Sequence, residues 1–248
     1  MEQNKTVLIT GASSGIGKEI AIQLAKQNIK ICINFSKSKE KAEEVQQEIE
    51  KFGGKAVIFQ ADISKEDEVK KMFDFVLSKF GALDILINNA GIDIPESIET
   101  YNYENWKKIF DVNLNGKFLC TKYAISLLKK SSAPRIINIA SRFALKPFEE
   151  ASAYCCAESG IVMFTQVSAI ELSKYNIKVN TISPGLTKTP LTENICTEED
   201  FDNYAKRNPS KRIGKPSDIA NAVLFLISSK SEFINGENIN VSGGILLK

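Results

Sequence analysis

The chain has 248 residues, of which 43% are hydrophobic and 25% charged, a composition typical of a globular protein. Its 32 basic and 30 acidic residues leave a net charge of +2, which gives no support to a nucleic-acid or membrane partner. The sequence has no histidine, so it excludes Ser-His-Asp catalysis and histidine-based metal sites. Five cysteines without C-x-x-C spacing predict free thiols and no metal site.

The N-terminus leads directly into an apolar run at residues 6–10 and shows no signal-peptide pattern. No apolar run approaches the length of a membrane-spanning helix. From these two features we expect a cytoplasmic protein.

Short apolar runs alternate with helix-length segments along the chain. Strands are predicted at residues 6–10, 30–34, 56–60, 85–88, 135–139, 178–182 and 238–241. Continuous apolar strands suit a parallel sheet that is buried on both faces. Apolar residues between them recur at helical spacing, as at Ile16, Ile20 and Leu24. The sequence therefore predicts an α/β protein with a single-domain Rossmann fold over residues 1–248, in which a doubly wound, seven-stranded parallel sheet carries helices on both faces. Residues 186–215 break the alternation and are predicted to cover a substrate pocket.

A glycine-rich turn follows the first predicted strand and opens the first predicted helix. It reads Thr10-Gly11-Ala12-Ser13-Ser14-Gly15-Ile16-Gly17. Glycines at this spacing let backbone amides approach a pyrophosphate at a helix N-terminus. A plain strand-to-helix turn would need only one of the three glycines, so the pattern predicts a dinucleotide site.

The end of the second predicted strand favours NADP(H) over NAD(H). An acid at this point would bind the adenosine ribose, whereas a basic residue accommodates a 2′-phosphate. Here the chain reads Phe35-Ser36-Lys37, and the first acid is Glu40. The alternative is that Lys37 is simply a solvated residue ahead of a helix.

In this order, the motifs resemble those of the classical short-chain dehydrogenase/reductase family over essentially the whole chain. Besides the glycine-rich turn, the matching elements are Asp62, Asn88-Asn89-Ala90-Gly91, Asp111-Val112-Asn113, Ser141, Tyr154, Ser183-Pro184-Gly185, Asn235-Gly236 and Ser242-Gly243-Gly244. Within the family the chain is most similar to β-ketoacyl-acyl-carrier-protein reductases and bacterial glucose dehydrogenases.

The resemblance implies a role for each matching residue. Ser141 would polarise a substrate carbonyl, Tyr154 would deliver a proton while the nicotinamide delivers hydride, and Asn113 would complete the catalytic set within a predicted helix at 106–119. The implied cofactor-binding residues are Gly11, Ser13, Ser14, Gly15, Ile16, Gly17, Phe35, Ser36, Lys37, Asp62, Ile63, Asn89, Ala90, Gly91, Tyr154, Pro184, Gly185, Thr187 and Thr189. A homotetramer or homodimer is also implied.

Glu158 departs from the family pattern, in which a Lys stands four residues after the catalytic Tyr. A Lys there would stabilise the phenolate of Tyr154 from one helical turn away, and Glu has the opposite effect. A unit charge roughly 5 Å away contributes about 3 kcal/mol at an effective dielectric constant of ~20. Carbonyl reduction is affected least, because it uses neutral Tyr as the proton donor. Arg142 and Lys146 are candidates for restoring the missing positive charge.

The sequence thus predicts an NADP(H)-dependent ketone reductase, plausibly of 3-oxoacyl thioesters that are free or bound to a carrier protein, with activity weakened by Glu158. One alternative is an NADP(H)-binding scaffold or regulatory subunit that has lost catalysis. A second alternative is a sugar or polyol dehydrogenase. A third is that Glu158 was introduced by design to disable turnover. Basic residues in the predicted lid suit an acidic carrier protein: Lys206, Arg207, Lys211 and Arg212.

Overall fold

A computed structural model describes residues 5–247. Seven parallel strands form one sheet, with the order β3-β2-β1-β4-β5-β6-β7. The strands are β1 (Thr6–Ile9), β2 (Lys30–Phe35), β3 (Ala56–Gln60), β4 (Ile85–Asn88), β5 (Arg135–Ile139), β6 (Lys178–Pro184) and β7 (Asn238–Val241). Chain order reverses between β1 and β4, which creates the switch point at which open α/β sheets bind ligands.

Helices connect the strands and cover both faces of the sheet. They are α1 (Gly15–Ala25), α2 (Lys39–Lys51), α3 (Glu66–Phe80), α4 (Tyr103–Phe110), α5 (Gly116–Leu128), α6 (Ser152–Leu172), α7 (Pro190–Glu193), α8 (Glu198–Arg207) and α9 (Pro216–Ile227). A π-helical turn, Asp111–Asn115, joins α4 to α5 without a break. No helix within residues 5–247 has both the length and the apolar character needed to cross a bilayer.

The alternating side chains of the strands divide the hydrophobic core into two layers. Val7 and Ile9 pack on the side of α1, α2 and α9, whereas Leu8 between them packs on the side of α3 and α5. Both layers are fully buried, as expected for a parallel sheet covered on each face. The predicted fold is therefore confirmed.

Candidate active site

One cavity of about 870 Å³ lies at the carboxyl ends of the strands. Nearly all residues that the sequence assigned to the cofactor line it: Gly11, Ser13, Ser14, Gly15, Ile16, Phe35, Ser36, Lys37, Asp62, Ile63, Asn89, Ala90, Gly91, Tyr154, Pro184, Gly185, Thr187 and Thr189. Ser141 and Glu158 line it as well. The fold thus gathers the predicted cofactor and catalytic residues around one space.

The glycine-rich turn after β1 forms one wall of this cavity. Gly11 and Gly15 have positive φ angles of 62° and 56°, a conformation that favours glycine. A Cβ atom on Gly11 would lie 2.9 Å from the Cα atom of Ala90, so the turn packs tightly against the loop after β4. Gly15 begins α1, whose N-terminus therefore lies at the cavity, where its free amides suit an anion.

Gly17 does not line the cavity. A Cβ atom there would lie 2.5 Å from Asn89 Nδ2 and 2.6 Å from the carbonyl oxygen of Gly11. Asn89 Nδ2 uses this space to donate to the carbonyl oxygens of Thr10 and Gly11, at 2.9 and 3.1 Å. Gly17 therefore supports the turn by close packing.

The end of β2 supplies polar groups at the far end of the cavity. Ser36 and Lys37 are exposed and line it. Within residues 5–247 the Lys37 ammonium has no ion-pair partner, whereas the nearby Lys39 pairs with Glu43 at 3.5 Å. A hydroxyl beside an unpaired ammonium can receive a phosphate group.

Ser141 and Tyr154 meet on the opposite side of the cavity. Ser141 follows β5, and its hydroxyl accepts a hydrogen bond from the amide of Phe143 at 3.2 Å. Tyr154 lies in the first turn of α6, half-buried, and its phenol lies close to the Ser141 hydroxyl. The ring of Phe143 packs edge-on against the phenol, with centroids 6.1 Å apart. Two hydroxyls side by side can both bind one carbonyl oxygen.

The environment of Tyr154 keeps its phenol protonated. Burial raises the pKa of Tyr154 well above its usual value, and the nearby carboxylates of Glu158 and Asp93 raise it further. The nearby hydroxyl of Ser141 lowers this pKa, but its effect is smaller than that of burial. The phenol is therefore a proton donor and a poor base near neutral pH.

Asn113 lies at the centre of the π-helical turn and is fully buried. Its side chain accepts from the amide of Ile92 at 2.9 Å and donates to the carbonyl of Ile92 at 3.0 Å. It also donates to Glu158 Oε1 at 2.9 Å. Asn113 does not line the cavity but is hydrogen-bonded to two residues that do, Ile92 and Glu158.

Lys117, one turn after Asn113, is the cation that approaches Glu158. Its Nζ lies 3.9 Å from Glu158 Oε2 and donates to the carbonyl oxygen of Ile139 at 2.6 Å. Arg142 and Lys146 were predicted for this role, but within residues 5–247 the cation that forms an ion pair with Glu158 is Lys117. Burial raises the pKa of Glu158, and the charge of Lys117 and the bond from Asn113 lower it. Burial lowers the pKa of Lys117, and Glu158 raises it.

Two further residues lie in the cavity wall that sequence analysis did not assign to the substrate site. Asp93 has an unpartnered Oδ1, and burial, with a smaller effect from Glu158, raises its pKa to about 6. Arg142 stacks its guanidinium on Phe143 and Tyr204, 4.3 and 5.3 Å from the ring centroids.

The sequence did contain one signal for Lys117. The spacing Asn113-x-x-x-Lys117 places both residues on one helix face.

The segment 186–215, which was predicted to cover a substrate pocket, supplies part of the cavity wall. It contains α7 and α8, and Thr189, Leu191, Ile195, Tyr204 and Arg207 line the space. The hydroxyl of Tyr204 accepts from the amide of Leu186 at 3.2 Å, which ties α8 to the end of β6. The lining of this half is mixed, with apolar side chains beside Arg142 and Arg207.

Comparisons with known proteins agree with this geometry. The profile of the family described as "Enoyl-(Acyl carrier protein) reductase" matches residues 11–246. The 3-oxoacyl-[acyl-carrier-protein] reductase FabG of Staphylococcus epidermidis is 36% identical over 244 residues, covering 98% of this chain and 100% of that protein. The 3-oxoacyl-[acyl-carrier-protein] reductase of Synechocystis sp. is 35% identical, covering 98% and 97%. A solved short-chain type dehydrogenase/reductase from Mycobacterium marinum has a TM-score of 0.94 at 30% identity, covering 99% of this chain and 97% of that one.

The chain belongs to the short-chain dehydrogenase/reductase family.

The family predicted from the motifs is thus confirmed, and the protein is an oxidoreductase. The cavity of this short-chain dehydrogenase/reductase also fits a dinucleotide by its own geometry. Gly11 and Gly15, the two glycines of positive φ, shape the turn at the N-terminus of α1, and Lys37 at the other end has no ion-pair partner within residues 5–247.

Proposed function

We propose that the protein is an NADPH-dependent reductase of ketones, with 3-oxoacyl thioesters as the substrate class. The observation that carries this proposal is that Ser141 and Tyr154 place two hydroxyls in the wall of the cavity, where burial raises the pKa of the phenol. A reductase needs a proton donor at this point, whereas a sugar or polyol dehydrogenase needs the phenolate as a base. The raised pKa of Tyr154 therefore favours reduction over the dehydrogenase alternative.

The nicotinamide would supply the hydride, and the chain's own residues would do the remainder. The hydroxyls of Ser141 and Tyr154 hold the carbonyl oxygen, and Tyr154 gives it a proton as negative charge develops there. Asn113 holds Glu158 by a hydrogen bond, and the segment 186–215 adds α7 and α8 to the cavity wall, where they limit access of water. Residues Ser36 and Lys37 would hold the 2′-phosphate that distinguishes NADPH from NADH.

The thioester class is supported by the cavity wall and by the relatives. Phe143, Phe148, Leu191 and Ile195 give the lid side an apolar lining suited to an acyl chain. Both curated relatives described above are named for reduction of 3-oxoacyl groups on an acyl carrier protein. We therefore propose the same substrate class here.

Oxidation of NADPH in the presence of a 3-oxoacyl thioester tests the proposal. We expect turnover by the wild type and a loss of about 10³-fold or more in kcat for Tyr154→Phe, which removes only the phenolic hydroxyl. Binding of NADPH to Tyr154→Phe, measured by calorimetry, should persist. A wild type that binds NADPH but reduces no ketone would support the scaffold alternative instead.

Lys37→Ala tests the choice of cofactor. We expect it to weaken NADPH binding about three- to tenfold, as a partly exposed ion pair to phosphate would, and to leave NADH binding unchanged. Lys39→Ala is the matched control, because the Lys39 ammonium already pairs with Glu43. Equal losses for NADPH and NADH would contradict a phosphate contact at Lys37.

A further inference from the structure

The side chains of Lys117 and Glu158 form a buried ion pair in the wall of the cavity. Each side chain is 2% exposed, and the two come from different helices, α5 and α6. Lys117 stands four residues after Asn113, and Glu158 stands four residues after Tyr154. The packing of α6 against the π-helical turn brings these two helix faces together.

The carboxylate of Glu158 has one oxygen fixed and one oxygen free. Oε1 accepts from Asn113 Nδ2 at 2.9 Å. Oε2 is buried without a hydrogen-bond partner among residues 5–247, because Lys117 Nζ at 3.9 Å is too distant to donate to it. Buried carboxylate oxygens are normally hydrogen-bonded, and Glu158 lines the cavity. Oε2 is therefore an acceptor that still needs a donor.

A ligand donor next to Tyr154 would satisfy this oxygen. Glu158 lies one helical turn from Tyr154, on the same face of α6. Phosphates and carbonyl groups cannot serve, because they are acceptors and a carboxylate repels them. The sugar hydroxyls of a nicotinamide nucleotide are donors of the required kind.

We propose that Lys117 is a positioning residue that holds Glu158 ionised, so that Glu158 Oε2 accepts a hydrogen bond from a ribose hydroxyl of the cofactor. This rests on the proposed function, since it requires a nicotinamide dinucleotide. An unpaired carboxylate at this depth would take up a proton, and the ammonium of Lys117 opposes that uptake. In this pair, Lys117 on α5 supplies the positive charge and Glu158 on α6 supplies the acceptor for the ribose hydroxyl.

The family pattern has a Lys at the position of Glu158, and that Lys would stabilise the phenolate of Tyr154. The Lys117–Glu158 pair does not have this effect. The charged groups that raise the pKa of Tyr154 are Glu158 and Asp93, and burial acts in the same direction. Lys117 therefore acts on the cofactor through Glu158 and leaves Tyr154 a proton donor.

A double-mutant cycle on the dissociation constant of NADPH, measured by calorimetry at neutral pH, tests the proposal. The variants are Lys117→Met, Glu158→Gln and the two combined. Lys117→Met also removes the donor to the carbonyl oxygen of Ile139, and the cycle separates that loss from the effect on Glu158. Lys122→Met is the control, because Lys122 lies on α5 but is exposed and pairs with Glu66.

We expect Lys117→Met to weaken NADPH binding about tenfold in the wild-type background and less than about twofold in the Glu158→Gln background. Lys122→Met should have no effect. Equal losses in both backgrounds, or no loss in either, would overturn the role assigned to Lys117. A wild type that binds neither NADPH nor NADH would instead overturn the proposed function.

Infrared spectroscopy gives a second test that does not depend on the folding of Lys117→Met. The difference spectrum between the wild type and Glu158→Gln should contain the stretch of an ionised carboxylate, and NADPH should shift it. A carboxylic acid band in its place would show that Lys117 does not hold Glu158 ionised. A carboxylate band that NADPH leaves unchanged would contradict the ribose contact.

Discussion

Asn113 donates from its amide nitrogen to Glu158 Oε1 at 2.9 Å, and this bond ties the π-helical turn to α6. The same nitrogen donates to the carbonyl oxygen of Ile92, and the Asn113 oxygen accepts from the amide of Ile92. One buried side chain thus joins the loop after β4, the turn between α4 and α5, and the helix that carries Tyr154. The position of Glu158 in the cavity wall depends on this junction.

Asn113→Ala should destabilise the protein by about 2–4 kcal/mol, because it leaves the part-buried amide of Ile92 and the buried oxygen of Glu158 without partners. Urea unfolding followed by circular dichroism measures this change. Asn115→Ala is the control, since Asn115 lies in the same turn but is exposed and bonds only to Asp111 at 2.9 Å. Its effect should stay below about 1 kcal/mol. Similar losses for the two variants would show that the turn itself, and not the buried junction, is being disrupted.

The fold was readable from the sequence because strand burial leaves a local signal. Each predicted run coincides with a strand, and the differences lie at the ends. β6 continues to Pro184 because that residue pairs with Val241 of β7, a contact made far away in the chain. β2 likewise continues to Phe35, which pairs with Gln60 of β3. Pairing across strands decides where a strand ends, and one strand's own residues do not show it.

The residues of the site that belong to known motifs could be predicted from the sequence, but the contacts between its helices could not. The predicted helix at 106–119 contains a π-helical turn, because the tertiary hydrogen bonds of Asn113 outweigh the regular helical pattern. The role of Lys117 was not predicted either, because it depends on a contact between two helices. Its spacing from Asn113 gives the helix face, but only the packing of α6 shows that Glu158 lies opposite. The orientation of helices relative to each other is what the sequence pattern leaves open.

Glu158→Gln should make alcohol oxidation faster at alkaline pH. The pKa of Tyr154 is raised by burial and then by Glu158, so the wild-type phenol stays protonated and oxidation should increase with pH without a plateau below about pH 10. Removing the charge of Glu158 lowers the pKa of Tyr154, so the oxidation rate begins to increase at a lower pH. At a fixed pH below this pKa, each unit by which the pKa falls should raise the rate about tenfold. Oxidation rates at saturating NADP⁺ across the alkaline range measure the shift.

Two comparisons check that the shift comes from charge near the phenol. Asp93→Asn should move the profile less than Glu158→Gln does, because Asp93 has the smaller effect on Tyr154. Glu149→Gln, at an exposed acid in the same cavity wall, should not move it. An unchanged profile for Glu158→Gln would mean that burial alone sets the pKa of Tyr154.

Asp93→Asn should stabilise the folded protein at neutral pH but not in acid. Burial raises the folded-state pKa of Asp93 from 3.8 to about 6, so the folded protein binds the proton more tightly than the unfolded chain does. The free energy of unfolding of the wild type therefore falls as pH rises from 3.8 to about 6, because Asp93 becomes ionised at a buried position. Above about pH 6 the whole destabilising effect of this ionisation is present. Since Asp93 is partly exposed, the expected gain is about 1–3 kcal/mol at neutral pH and near zero below about pH 4.

The measurement for Asp93 is the free energy of unfolding in urea as a function of pH. Asp74→Asn, at an exposed position on α3, is the matched control and should change stability by less than about 0.5 kcal/mol throughout. A gain for Asp93→Asn that is equally large in acid would show that the ionisation of Asp93 is not its cause.

Lys206 and Lys211 should affect a carrier-protein-bound substrate but not a small thioester. Both are exposed near the lid, next to Arg207, which lines the cavity. Arg212 is excluded from this surface, since its guanidinium pairs with Asp218 through bonds of 2.6 and 2.9 Å. An acidic carrier protein would be attracted to the remaining positive charge at the mouth. Replacing both lysines by Glu should raise KM for the carrier-bound substrate about tenfold, with kcat unchanged.

Ionic strength separates this electrostatic effect from damage to the lid. The difference in KM between the wild type and Lys206→Glu/Lys211→Glu should shrink as salt is added, because exposed charges are screened within about 10 Å at roughly 0.1 M. KM for a small 3-oxoacyl thioester should be equal in both proteins, and Lys51→Glu, at the end of α2, should behave as the wild type. If the double variant loses activity equally on both substrates, the two lysines support the lid and do not dock a carrier protein.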